Sequence, residues 1–140
     1  IIGVIIAIFL GAMSAVGGVL KLGANAIFMG GTNALVLGSA ALDVGTYTNA
    51  FRSLELLSSS SIRLNDGTAS LAFADCGDRV WTGTLTLEGK LKPRTLRFGT
   101  DAAGLTKAQL ACLRKSGCSL YLDANGYLLQ TPIGTLFAIR

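Results

Sequence analysis

Few side chains in this sequence could perform chemistry, and their spacing does not assemble a catalytic set. The chain has no histidine, so the usual general base and the preferred metal ligand are missing. The serine run from Ser58 to Ser61 has no neighbouring base in the sequence and does not predict a nucleophile. The segment Asp75-Cys76-Gly77-Asp78 could form a weak metal loop, but a polar turn around a buried cysteine is the favoured interpretation. We therefore predict no enzymatic activity, no cofactor and no metal site.

The three cysteines are the remaining reactive side chains: Cys76, Cys112 and Cys118. This number in a small chain is typical of an exported protein with one disulfide bond and one thiol left over. If Gly117 is the left-handed residue after a helix end, Cys112 and Cys118 occupy two positions that often touch. The spacing favours a Cys112–Cys118 disulfide, and three reduced thiols are the alternative.

The charge pattern argues against a nucleic-acid partner. The net charge is +4 and the isoelectric point is near 9.2, yet the densest cluster is only Lys90, Lys92 and Arg94, with Arg97 beyond it. A solvated strand and turn explain this cluster better than a nucleic-acid patch does. The aromatic residues are scattered and predict no stacking platform for bases.

The elements that would position these residues begin with an apolar stretch, 1–20, which reads IIGVIIAIFLGAMSAVGGVL. The first ionisable side chain is Lys21. About 20 apolar residues in a helix would cross the hydrocarbon core of a bilayer, where a single segment must be helical. The stretch therefore predicts a transmembrane helix. Because the sequence starts inside this apolar run, either a leader was cut off just before Ile1 or the sequence was trimmed there.

Small residues recur along one side of this predicted helix, at Gly3, Ala7, Gly11, Ala15 and Gly18. Small residues let helix backbones approach closely in lipid. We interpret this stripe as a helix-packing face for other copies of the chain, and a simple membrane anchor is the alternative. Glycines spaced seven apart, such as Gly31, Gly38 and Gly45, extend the predicted helix to about Leu42. The sequence thus divides into an assembly helix, 1–44, and a head domain, 45–140.

The head domain is predicted to mix helices and strands. Phe51, Leu54 and Leu57 fit one side of a second helix. Alternation predicts strands at 70–73, 79–87 and 95–98, then at 119–122, 127–129 and 135–139. Thr106 is predicted to cap a helix from Lys107 to about Lys115. Turns are expected at 65–67 and 123–126. The predicted fold class is α+β, a long apolar helix followed by a small antiparallel head.

Two segments add a resemblance to this outline: GTYTNAFRSLELLSSSSIRLNDG and GLTKAQLACLRKSG. With the apolar start, they resemble the type IV pilins, and within these the type IVb branch and the major pilins of conjugative thin pili. The resemblance implies a leader cut off before Ile1 and a helix Cys that pairs far along the chain, which makes Cys76 a rival disulfide partner. Type IV pilins usually carry Glu at the fifth position, whereas this chain has Ile5, which would leave an N-terminal amine unpaired in a low-dielectric setting.

The function predicted from these patterns is structural. The chain would be a pilin that polymerises through its N-terminal helix into an extracellular type IV pilus for adhesion, aggregation or conjugative contact. Its partners would be copies of itself, the inner membrane before assembly and the pilus assembly machinery. The alternative, favoured by Ile5, is a membrane-anchored minor pilin, pseudopilin or accessory binding protein outside the filament body.

Overall fold

The computed structural model describes residues 4–9, 12–23, 25 and 34–132, with side chains for 14–23, 25 and 34–132. These residues form short β-strands and a single helical turn. The elements, in chain order, are β1 (Val4–Phe9), β2 (Ala12–Lys21), β3 (Ala34–Gly38), β4 (Ala41–Asp43), β5 (Thr48–Phe51), β6 (Ser53–Leu56), β7 (Ser60–Asn65), β8 (Ser70–Phe73), β9 (Leu85–Gly89), β10 (Leu96–Phe98), α1 (Lys107–Leu110), β11 (Leu113–Arg114), β12 (Cys118–Leu122) and β13 (Leu128–Pro132).

Most strands pair in parallel with a strand about one coil later in the chain. Ala12 lies opposite Ala34, and Ala34 lies opposite Ser53, which are offsets of 22 and 19 residues. Repeated parallel pairing at such offsets means that the backbone winds in coils, each stacked on the previous one. The chain is therefore a β-solenoid, in which each coil mainly contacts its neighbours.

Each full coil crosses three faces of the solenoid. Face one contains the first half of β2, then β3 and β6, and continues through a bridge between Leu56 and Trp81. Face two contains the second half of β2, then β4, β7, β9 and β11. Face three contains β5, β8 and β10. Because β2 belongs to two faces, faces one and two are one bent sheet, which β1 extends by pairing antiparallel with β2.

The corner between faces two and three is made by left-handed backbone in three successive coils. Gly45, Asn65 and Gly89 have φ values of +60°, +58° and +96°. Glycine and asparagine tolerate this region better than other residues. At Gly89 space is also limiting, because a Cβ atom would lie 2.5 Å from the backbone oxygen of Asn65. These residues turn the chain from face two into face three.

Leucine and isoleucine columns fill part of the interior. Leu42 lies opposite Ile62, and Ile62 lies opposite Leu87, so three coils contribute one side chain each. On face one, Leu35 lies opposite Leu54. All five side chains are at most 3% exposed. Burying a large apolar side chain stabilises a fold by roughly 1.5–3 kcal/mol, so the inward alternation of the strands supplies much of the driving force.

A phenylalanine column fills the space behind face three. The ring centroids of Phe51 and Phe73 are 5.7 Å apart, and those of Phe73 and Phe98 are 5.3 Å apart. The interplanar angles of 19° and 12° make these pairs stacked. Trp81 meets Phe98 edge-on at 5.9 Å, and its indole N–H donates to the backbone oxygen of Leu54. The aromatic column therefore joins three coils and reaches face one.

The helical turn and a hairpin close the C-terminal part of the described chain. Thr106 caps α1 by accepting from the Gln109 backbone N–H, while the Gln109 side chain accepts from the Thr106 N–H. Strands β12 and β13 pair antiparallel around a turn at 123–127. Leu122 and Leu128 of this hairpin are buried against the core. The hairpin contacts β10 and β11, so it covers the last coil.

The structure contradicts the predicted long N-terminal helix. Val4–Phe9 and Ala12–Lys21 are strands, and Gly17 and Gly18 have φ values of +75° and +71°, which an α-helix does not allow. No helix among the described residues is long and apolar enough to span a bilayer. The transmembrane-helix prediction is therefore wrong, because a continuous apolar run also suits strands of a parallel stack.

The predicted helix-packing stripe has no helix to lie on. Ala7 is in β1, and Ala15 and Gly18 are in β2. Ile5, at the position of the usual pilin Glu, is also in β1. The remaining predicted positions, Ile1, Gly3 and Gly11, lie outside the described residues.

The resemblance to type IV pilins and the α+β fold class are wrong for the same reason. A type IV pilin requires a long N-terminal helix, whereas this chain is an all-β solenoid. The division at residues 44 and 45 falls within one coil, between β4 and β5. The second predicted helix is also wrong, because β5 and β6 occupy its place.

Local predictions in the second half fared better. The strand Ser70–Phe73, the Thr106 cap and the turn after Asp123 are confirmed. The helix after Thr106 is shorter than predicted, since it ends at Leu110. Gly117 does have a positive φ, of +73°, but it lies in the turn before β12 rather than at a helix end. The strand predicted at 135–139 lies outside the described residues.

Candidate functional site

An alternating ladder of charges runs across the outer side of face two. Lys21 lies opposite Asp43, Asp43 opposite Arg63, and Arg63 opposite Glu88. Arg63 and Glu88 form an ion pair, with 3.5 Å between Nε and Oε1. Opposite charges on directly paired strand residues stabilise a sheet by roughly 0.2–1 kcal/mol per pair. The ladder fixes the register of four successive coils from the outside.

Asp43 is held ionised within this ladder. Partial burial would raise the pKa of the Asp43 carboxyl, but hydrogen bonds from Asn65 and from the Gly45 backbone, with the charges of Lys21 and Arg63, outweigh it. The net effect lowers the pKa below its ordinary value. Asn65 donates from Nδ2 to Asp43 Oδ1 at 2.9 Å, so this carboxylate also joins two coils at the corner.

A shallow groove follows the corner between faces one and two. It encloses about 540 Å³. Paired outward positions from successive coils form its floor, since Ala41 lies opposite Ser61 and Ser61 opposite Thr86. Hydroxyl groups, alanine and glycine dominate its lining, and Arg63 is the one charged side chain among the described residues that line it. The groove therefore offers a repeated, polar and nearly flat surface along the solenoid axis.

The serine run lies at this groove and ties coils together. The Ser39 and Ser58 hydroxyls are 2.8 Å apart. The Ser60 hydroxyl donates to the Ser58 backbone oxygen and accepts from the Ala40 N–H. Ser59 Oγ accepts from the Thr84 N–H at 2.9 Å. The structure gives these hydroxyls corner-forming hydrogen bonds, a role that the sequence did not suggest.

A second concavity, of about 580 Å³, lies at the corner between faces two and three. Lys92, Arg94 and Tyr127 line it, together with hydroxyl residues that include Thr68. The guanidinium carbons of Arg94 and Arg97 lie 5.7 Å and 4.9 Å from the centroid of the Tyr127 ring. The solenoid thus brings the basic residues into one cluster around an aromatic ring. The sequence could not indicate this, because Tyr127 belongs to the distant hairpin.

The three cysteines are free thiols in this structure. A disulfide between Cys112 and Cys118 stays a prediction. Cys112 lies just after α1, where its thiol donates to the Ala108 backbone oxygen at 3.3 Å, and Cys118 begins β12. Cys76 differs from both because it is fully buried. Burial raises the pKa of the Cys76 thiol to about 12, although a hydrogen bond from the Leu54 N–H opposes the shift. This thiol is poorly placed to act as a thiolate in disulfide exchange.

The segment around Cys76 forms a turn. Asp75 Oδ1 accepts from the Gly77 N–H, and the Asp78 carboxylate lies 3.6 Å from Arg79 Nε. Across the described ranges, no three Cys, Asp or Glu side chains group in a way that could hold a metal ion.

Comparisons with protein-family models, with curated proteins and with solved structures found no match for this chain.

Proposed function

We propose that this chain is a structural and adhesive module, a stiff solenoid segment that displays a lateral surface to a polysaccharide outside the cell. The observation that carries the proposal is the in-register stacking of like positions through successive coils. Solenoids of this kind create extended surfaces whose chemistry repeats from coil to coil. A ligand that itself repeats, such as a sugar chain, matches that surface better than a compact metabolite does.

Stiffness is supported by interactions that each join neighbouring coils. The phenylalanine column acts inside, and the charge ladder acts on the outer side of face two. Between them run the backbone hydrogen bonds of parallel strands. A load on such a module is shared among many contacts, which suits a structural role at a surface.

The adhesive role is supported by the groove between faces one and two. Neighbouring strands lie about 4.8 Å apart, so the three coils that form the floor span roughly 10 Å, the length scale of a disaccharide. Ser61 and Thr86 offer hydroxyls that can donate and accept hydrogen bonds. The low, open floor leaves room for a chain that continues past both ends of the groove.

The proposal is tested by blocking the groove. The purified chain would be assayed for retention on a panel of insoluble and immobilised neutral polysaccharides. Ser61→Trp fills the groove, and Ala50→Trp, the matched control, places the same side chain outward on face three. We expect retention of the parent chain and of Ala50→Trp, and at least a tenfold loss for Ser61→Trp. Circular dichroism would verify that both variants keep the β fold. Failure of the parent chain to bind, or equal binding by the two variants, would overturn the proposal.

A further inference from the structure

We infer that the basic corner, defined as Lys92, Arg94, Arg97 and Tyr127, is a binding site for the anionic groups of an acidic polysaccharide. This site is separate from the groove and does not depend on it. The inference rests on the geometry of the cluster, on its fixed backbone and on two arginines that form no ion pair among the described residues.

The backbone that presents the cations is held in place by a buried threonine. Thr95 is 1% exposed, and its hydroxyl donates to the Gly67 backbone oxygen at 2.9 Å. The same hydroxyl accepts from the Lys92 N–H at 3.1 Å, which closes the turn that carries Lys92 and Arg94. A ligand would therefore meet a preformed turn, so little ordering is needed on binding.

Tyr127 and the hairpin turn position the guanidinium groups. Arg97 Nε donates to the Asn125 backbone oxygen at 2.9 Å while its guanidinium lies against the Tyr127 ring. Arg94 approaches the same ring. Neither arginine has a carboxylate within ion-pair distance in the part of the chain that the structure describes. Two oriented, unpaired guanidinium groups suit carboxylate or sulfate oxygens, which they can bind in a bidentate way.

The surroundings favour a sugar chain over a nucleic acid. Thr68 and Ser70 line the concavity beside the cations and can bond to sugar hydroxyls. Asp66 adjoins the site, and hydrogen bonds from Thr68, with the charge of Lys92, lower the pKa of its carboxyl and keep it ionised. A fixed negative charge at the rim disfavours the closely spaced phosphates of a duplex. A polysaccharide whose anionic groups are separated by neutral sugars can bind the cations without placing a negative charge next to Asp66.

The test measures binding of two defined probes whose carboxylates are separated by neutral sugars, a hyaluronan dodecasaccharide and a gellan octasaccharide, by calorimetry at several salt concentrations. The double variant Lys92→Gln/Arg94→Gln is compared with Arg52→Gln/Lys107→Gln, which removes the same charge from exposed positions elsewhere. We expect at least a tenfold weaker affinity for the first variant and less than a twofold change for the second. Tyr127→Leu is expected to weaken binding several-fold with the net charge unchanged, because the arginines lose their platform.

Three outcomes would overturn the inference. Equal losses in the two charge-matched variants would mean general electrostatic attraction. Tighter binding of a DNA duplex of equal charge would mean a nucleic-acid site. Absence of binding to either saccharide would mean no such site. Ser61→Trp is expected to bind both probes like the parent chain, so failure of the groove proposal is recognisable separately.

Discussion

Phe73 has an aromatic ring on each side, from Phe51 in the previous coil and from Phe98 in the next. It is the middle ring of the three stacked phenylalanines, so its removal should disturb three coils at once. Truncating a buried phenylalanine to alanine typically costs about 3–5 kcal/mol. We expect Phe73→Ala to lower the free energy of unfolding within that range, measured by urea denaturation. Phe73→Leu, which leaves a smaller void, should cost clearly less, and equal losses would contradict the stacking argument.

The Asp43 carboxylate makes the charge ladder sensitive to acid. Its pKa in the folded chain lies below the ordinary value of 3.8, so the ionised form stabilises the fold above that pH. This contribution is lost as the pH falls below about 4 and through the folded pKa. We expect the melting temperature of Asp43→Asn to depend less on pH between 5 and 2.5 than that of the parent chain. The control variant is Asp101→Asn, which removes a carboxylate outside the ladder. A pH profile of Asp43→Asn that matches the parent chain would mean that Asp43 contributes nothing to the ladder.

Residue-level features were the most predictable from the sequence, because they depend on local chemistry. The Asn65-Asp66-Gly67 turn and the Thr106 cap each lie where sequence rules put them. The contact between Arg97 and Tyr127 was not predictable, since it depends on how the hairpin packs against the last coil. The same holds for the hydroxyl groove, whose floor combines residues from different coils.

At the scale of elements, α1 is joined to the body of the solenoid by one buried side chain. Gln109 is 4% exposed, and its Nε2 donates to the backbone oxygens of Cys76 and Arg79. Leaving a buried acceptor without its donor costs about 1–3 kcal/mol. Gln109→Leu should therefore destabilise the chain by that amount in urea denaturation. Lys107→Leu, an exposed change in the same helix, should have little effect. A similar loss of stability in that variant would mean that the Gln109 hydrogen bonds do not hold α1 to the solenoid.

The element types were misassigned because the strands are short. Each corner also interrupts the inward–outward alternation of the side chains, so the pattern does not continue from one strand to the next. Phe51 and Leu54 both point inward, but the corner at Arg52 separates β5 from β6 and sets their spacing at three. A spacing of three imitates one side of a helix, although each strand alternates by two. The informative signal was a longer spacing in the sequence. The phenylalanines of the stack, Phe51, Phe73 and Phe98, are separated by 22 and 25 residues, which is one ring per coil. A spacing of this length indicates stacked repeats.

At the scale of the whole molecule, the coils should be exchangeable units. Ala41 lies opposite Ser61, so deleting residues 41–60 removes one complete coil and puts Ile62 in the place of Leu42. We expect this variant to fold with β circular dichroism and a lower melting temperature. Deleting residues 41–50 removes half a coil and destroys the register, so it should not fold. If both deletions unfold alike, the coils are not equivalent.

The global architecture escaped sequence reasoning because parallel strands and membrane helices share an apolar composition. Strands buried in parallel stacks read as nearly continuous hydrophobic runs, and the segment 1–20 is such a run. The length of this apolar run favoured a helix in the sequence analysis. In the structure, the positive φ values at Gly17 and Gly18 bend one long strand across two faces. The distinction depends on the stacking partners, which lie some 20 residues further along the chain.

The last described coil leaves little free strand edge for the backbone of another molecule to pair with. Strand β11 is only two residues long, and the antiparallel hairpin lies beside it. A stacked sheet that ended in a long bare strand would act as a template for the backbones of other molecules. Among the described residues, β11 is too short to pair with another backbone over more than two residues, so its free edge is a poor template for an added strand.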